Sequence, residues 1–307
     1  MALLDAVLDV VRHEYAKAEP TWKSSRLHAS DLEFLEGECA TPSEFDSFGW
    51  RKEMLDAYKQ GKADADVREC AYGRVVAIGA PSHSVPWGLW GRILRLYEQG
   101  APSSRKKAKV FFLASPYLRT IPTNPKTPLG PANINGGYTY HCNNQTIVIY
   151  RAEDATRVLL HELQHASCLD RMEKGTDLVE AETEAWAELL YAGLLSQGKK
   201  ALFHELVQQQ ANWMVAQNEV VKRHIRTERQ FPWRYTVGKQ EVWERWMGAS
   251  MPPHPIQGKA RVPPTGIGGL GAQVPPNMSL RLTPPPSAAL QRAFGVQRAF
   301  GVDSTIL

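Results

Sequence analysis

Val158-Leu159-Leu160-His161-Glu162-Leu163-Gln164-His165-Ala166-Ser167-Cys168 is the stretch that decides how this chain is read. Histidines at i and i+4 fall on one face of a helix, so the imidazoles of His161 and His165 can reach a single cation. Glu162 is offset by one position from His161. That offset sets its carboxylate beside the cation rather than on it, where it can take a proton from an activated water. Val158, Leu159, Leu160, Leu163 and Ala166 make the helix apolar nearly all round, as a buried helix is. Two imidazoles and a carboxylate in such surroundings need a partner.

Outward from this helix the chain alternates between strand and helix patterns. On the N-terminal side, 72–81 (YGRVVAIGAP) and the run KVFFLASP read as strands around a helix, WGLWGRILRLYEQG, with Gly100 as its stop. NINGGYTYHC and QTIVIY follow as a hairpin turned by Asn143 and Asn144, with Asp154 placed to cap the histidine helix. On the C-terminal side, helical patterns run through 177–194, 200–225 and 237–247. The first of these places Glu180, Glu184 and Glu188 at i, i+4 and i+8, with Glu182 nearby and no Lys or Arg between 175 and 197. Like charges at i, i+4 repel by a few tenths of a kcal/mol per pair, so the stripe asks for an external cation.

The segment 158–168 resembles the extended zincin pattern: β-branched Val158, uncharged Leu159, Leu160, Leu163 and Gln164, then Ala166. Ser167 stands where an apolar residue is usual. Cys168 and Arg171 occupy the positions where a metzincin has Gly and His, which excludes that branch. Asp170 and Asp177 keep an aspartate-ligand arrangement open. Eighteen residues separate His165 from Glu184, and this spacing resembles gluzincins. The resemblance implies a zinc peptidase: His161, His165 and Glu184 as zinc ligands, Glu188 holding a histidine from behind, and Glu162 as the base of peptide-bond hydrolysis. It also implies a downstream Tyr or His that stabilises the oxyanion, for which Tyr235 is chosen ahead of His224 and Arg234. The edge strand of such a fold pairs with substrate backbone. Gly136 and Gly137 stand there, and would let another backbone approach.

The expected architecture is α+β and zincin-like: a small twisted mixed sheet, the histidine helix beneath it, and a helical lower subdomain. Residues 1–71 are read as a helical N-terminal extension, with apolar positions Leu4, Val7, Leu8 and Val11 in its first helix and Gly61 ending another. Residues 72–250 form the peptidase domain. From Met251 the chain holds ten of its 21 prolines, a GIGGLG stretch and QRAFGV twice, at 291–296 and 297–302. That segment reads as a disordered tail with a possible protein partner.

Composition bounds the rest. With 43% hydrophobic residues the chain can build a core, and a net charge of +4 over 307 residues is too small to argue for nucleic acid or an anionic membrane. Cys39, Cys70, Cys142 and Cys168 form no C-x-x-C pair and read as reduced thiols. Asp5 and Asp9 interrupt the first apolar pattern, and no run approaches the ~20 residues of a bilayer span. An intracellular, cytoplasmic location is the expectation, with a peptide or protein as substrate. The alternative is a catalytically silent zincin-like scaffold that works through its Pro-rich tail.

Overall fold

A computed structural model describes residues 2–80, 85–98, 106–225, 231–248 and 280. In chain order the elements are α1 (Ala2–Tyr15), β1 (Lys23–Ser25), α2 (Ala29–Ala40), α3 (Trp50–Lys59), β2 (Ala65–Glu69), β3 (Gly73–Ile78), α4 (Trp87–Glu98), β4 (Ala108–Leu113), α5 (Pro131–Ile134), β5 (Gly137–Tyr138) and β6 (Ile147–Ile149). The helices α6 (Ala155–Ala166), α7 (Thr176–Ser196), α8 (Lys200–Val221), α9 (Phe231–Tyr235) and α10 (Val237–Met247) complete the set. It is a mixed α+β molecule built on one small mixed sheet.

The sheet order is β1-β2-β3-β4-β6-β5. β3, β4 and β6 are parallel, β1 and β2 add antiparallel on one side, and β5 closes the other side antiparallel to β6. The β3–α4–β4 unit is the strand, helix, strand unit expected from the sequence. Its parallel strands VVAI and VFFL are buried throughout, as central strands covered on both faces must be. One face packs on α4 and α6 around Trp90, Phe112 and Leu159. The other packs on α2 and α3 around Leu35, Leu55 and Phe111. Below α6, the helices α1, α7, α8 and α10 enclose a second core around Phe203 and Trp243.

Residues 1–71 are not an appendage. Leu4, Val7, Leu8 and Val11 are buried as expected, but they are buried against α7 and α8. β1 and β2 are strands of the common sheet, and the boundary expected at 71/72 falls inside the β2–β3 hairpin. Both strands are polar, with Val67 the sole buried residue in β2, so alternation gave no cue to them. Gly61 stops α3 in the left-handed region, at φ +68°. Gly100 lies outside the described residues.

The tail expected to be disordered meets the fold at one described residue. Leu280 is fully buried with Ile121, Leu129, Ile134 and Val221, and its backbone N–H donates to the Arg119 carbonyl at 3.0 Å. The QRAFGV repeat lies outside the described residues. The thiol expectation is corrected as well: Cys142 and Cys168 form a disulfide, while Cys39 and Cys70 are free. Cα atoms 4.7 Å apart bring the end of the β5 segment onto the C-terminus of α6, which removes the reduced-thiol argument for an intracellular location. Among the described residues no helix is long and apolar enough to cross a membrane.

Candidate metal centre

α6 is the most enclosed helix of the fold, with eleven of its twelve residues buried. Asp154 stands at its N-cap position but does not cap it. Its carboxylate lies 3.6 Å from the Arg119 guanidinium instead. α6 carries His161 and His165 on the face turned toward α7, where their Nε2 atoms come within 2.9 Å of each other.

The third group at this point is Glu180. Its Oε2 lies 3.4 Å from His161 Nε2 and 3.7 Å from His165 Nε2. That oxygen is buried with no hydrogen bond of its own. Two imidazole nitrogens and an orphaned carboxylate oxygen thus converge, all within 4.8 Å of one another. This donor set fits a divalent metal of borderline softness, and it leaves coordination positions free.

The sequence reading put Glu184 in that place, and here the structure differs by one helical turn. Glu184 Oε1 sits 3.0 Å from Nδ1 of His161, the ring nitrogen facing away from the convergence point, and its Oε2 pairs with Arg157. Glu188, expected behind the histidine, accepts from Lys239 Nζ at 2.9 Å and lies 3.9 Å from Arg157. Glu182 pairs with Lys174 and Arg245. The acidic stripe is therefore mostly relieved by cations from α6, α10 and the α6–α7 turn. Among the described residues the ion pairs of Glu180 are to the two histidines.

Asp170 holds the second histidine by a hydrogen bond, whereas the approach of Glu184 to the first is an ion-pair contact in which His161 Nδ1 makes no hydrogen bond. Its Oδ2 is 2.7 Å from His165 Nδ1 and 3.2 Å from His141 Nδ1, and its Oδ1 accepts from Thr183 Oγ1 at 3.3 Å. A carboxylate on Nδ1 fixes the tautomer that leaves Nε2 free to bind a metal and raises its basicity. Asp170 thus stands behind His165, not at the convergence point. Asp177 is occupied by Arg234 at 2.6 Å.

The carboxylates around the histidines act strongly on them. Burial works against protonating either histidine, yet the surrounding carboxylates prevail and push His161 up to about 9 and His165 to about 11. Glu180 and Glu184 are held low despite their burial, Glu180 by both histidines, Glu184 by Arg157 and His161. The pocket gathers positive charge by taking up protons, and a divalent cation supplies the same charge without them. Burial pushes Glu162 up to about 7.

Gly136, Gly137, Tyr138, Phe45 and Arg119 line the cleft on one side, and Glu162, the two histidines, Glu180 and Tyr235 line the other. Tyr235 stands with its ring centroid 6.3 Å from that of His161, and burial raises its phenol well above the usual value. His224 and Arg234 are engaged elsewhere, His224 with the Thr127 carbonyl at 2.9 Å. The glycines have an intramolecular reason. A Cβ on Gly137 would stand 2.6 Å from Val158 Cγ1 and 2.8 Å from the Val148 carbonyl, and one on Gly136 would stand 2.3 Å from Arg119 Nη2. They let β5 lie directly on α6.

Sequence reasoning passed over Asp170 in its holding role, Arg157, and Glu180 as first choice. The cue was Arg157 itself, one turn before His161 on the same face of α6. A cation there claims a carboxylate from the facing helix and shifts the remaining pairings by a turn. Comparison with protein-family models, with curated proteins and with solved structures gave no match.

Proposed function

We propose that this chain is a zinc-dependent peptidase of zincin architecture, with His161 Nε2, His165 Nε2 and Glu180 Oε2 holding the metal. The convergence of these three atoms, one of them an orphaned buried oxygen, carries the reading. The mixed sheet with its antiparallel last strand above the histidine helix supports the fold part of it. Zinc, when bound, supplies Lewis acidity that polarises a peptide carbonyl and makes water a stronger acid.

The residues of the chain do the rest. Glu162 lines the cleft beside both histidines and contacts neither Arg157 nor Lys239, so its carboxylate is free to accept a proton from water and return it to the leaving amine. Tyr235, kept protonated by its burial, donates a hydrogen bond where an oxyanion forms. Asp170 keeps His165 turned inward by its hydrogen bond, and Glu184 sets a negative charge beside His161. Just before β5 the Gly136 carbonyl accepts from Tyr150 N–H at 2.8 Å, so by strand alternation the N–H and C=O of Gly137 face outward, where an extended substrate can pair.

The test is metal content joined to turnover. The purified full chain should carry about one zinc, lose it in His161→Ala/His165→Ala, and cleave an unfolded protein. A zinc-replete chain that cleaves no unfolded protein would transfer the reading to a silent scaffold.

A further inference from the structure

Eight large apolar side chains are exposed among the described residues; Phe45, Phe48, Tyr117 and Tyr140 are four of them, and Phe45 lines the cleft. The rings form two short chains of contact. Phe45 stacks on Tyr138 of β5 at 5.7 Å, and Tyr138 meets Tyr140 edge-on at 6.4 Å. Phe48 packs on Trp50 at 5.1 Å, and Trp50 stacks on Tyr117 at 5.3 Å. Phe45 joins the ledge to the cleft, because it lines the cleft with Gly136 and Gly137 while its carbonyl accepts from Asn135 Nδ2 at 3.3 Å.

Apolar rings in water normally swing, but these are held. The Tyr140 hydroxyl donates to Glu38 Oε1 at 3.3 Å and the Tyr117 hydroxyl to Glu53 Oε1 at 3.2 Å. The Arg151 guanidinium lies over Trp50, 4.4 Å from the ring centroid. Phe48 stays 67% exposed on this platform. Exposed, ordered apolar rings that begin in a cleft mark a place of contact with a partner.

We propose that this ledge captures aromatic and large aliphatic side chains of an extended, unfolded polypeptide whose backbone runs along the free edge of β5. The inference rests on the peptidase reading and gives its substrate a class: unfolded chains with exposed apolar residues. Continuity selects this occupant over a folded partner. The ledge begins at β5 itself, so a chain paired to that strand places side chains on Phe45 and Tyr140 without any rearrangement of the fold. Rings already fixed in place need no further ordering when a chain binds.

The experiment uses the zinc-loaded full chain carrying Glu162→Gln, so that bound peptide survives, and two fluorescein-labelled 14-residue peptides. One has Phe and Leu at alternate positions in a Gly/Ser/Lys background, and the other has Ser at those positions. Fluorescence anisotropy should give the apolar peptide a Kd at least about tenfold lower. Adding Phe45→Ser and Phe48→Ser should erase about that factor, the effect expected of truncating aromatic anchors, and Phe48→Trp should keep it. Equal affinity for the two peptides, or a double variant that binds as tightly as its parent, overturns the proposal. So does a ledge-dependent dimer seen by sedimentation without peptide capture. Failure of the peptidase reading looks different: wild type then cleaves neither peptide although capture still depends on the ledge.

Discussion

Glu180→Gln and Glu184→Gln should separate two functions that look alike in the sequence. In the proposed site Glu180 contributes a ligand atom, and among the described residues its ion pairs are to the two histidines, so its amide variant should lose tight zinc binding. Glu184 contributes an outer contact to His161 and the closest partner of buried Arg157. Its variant should keep the zinc site but weaken it by about 10–100-fold, equivalent to about 1.4–2.8 kcal/mol. It should also destabilise the metal-free protein, because breaking a buried pair costs about 3–5 kcal/mol. Glu188, 3.9 Å from Arg157, retains part of that interaction, so the lower end is expected. Zinc affinity is read by competition with a chromophoric chelator, and stability by urea unfolding in excess EDTA. The reverse pattern, with Glu184→Gln metal-free yet as stable as wild type and Glu180→Gln binding zinc normally, would refute the register assigned here.

Three further outcomes follow from packing. Gly137→Ala should cost about 1–3 kcal/mol in urea unfolding, since its Cβ meets the Val148 backbone and Val158 at 2.8 and 2.6 Å. An unchanged midpoint would mean that β5 does not lie on α6 as described. Reducing Cys142–Cys168 should lower stability by about 3.5 kcal/mol, the loop-closure value for a separation of 26 residues, and Cys142→Ser/Cys168→Ser should be insensitive to reductant. Equal melting with and without reductant in the wild type would exclude the bond. Leu280→Ala should destabilise the full chain by about 2–4 kcal/mol, because the side chain is fully buried against Ile121, Leu129, Ile134 and Val221. A neutral result would leave the tail unattached there.

The features legible in the sequence were those that local periodicity writes. The burial of Leu4, Val7, Leu8 and Val11, the β3–α4–β4 unit and the i, i+4 histidines each depend on residues close in the chain. The register between α6 and α7 was not legible in that way. It is set by Arg157 and Lys239, which arrive from α6 and α10 to claim Glu184 and Glu188 and leave Glu180 facing the histidines. β1 and β2 escaped notice because their polar sequences gain a place in the sheet only by pairing with β3 and each other. The Cys142–Cys168 bond escaped for the same reason, since 26 residues separate partners that the fold brings together. The glycines at 136 and 137 were read as space for a substrate, and the space is taken by Arg119 and Val158.

The central claim is that Glu162 moves a proton in peptide hydrolysis. Only its carboxylate form can accept that proton, so activity should fall as pH drops through its pKa. Burial sets that pKa at about 7, and a bound cation lowers it, which places the acid limb below 7. Glu162→Gln keeps the side chain's shape while removing the base, so the variant should hold zinc and fold as the wild type does. Cleavage of an unfolded protein by the two full chains, compared at matched zinc content, is the most direct measurement. A loss of about 10⁴-fold or more is expected, since both proton transfers are affected. Equal cleavage by the two proteins would contradict it.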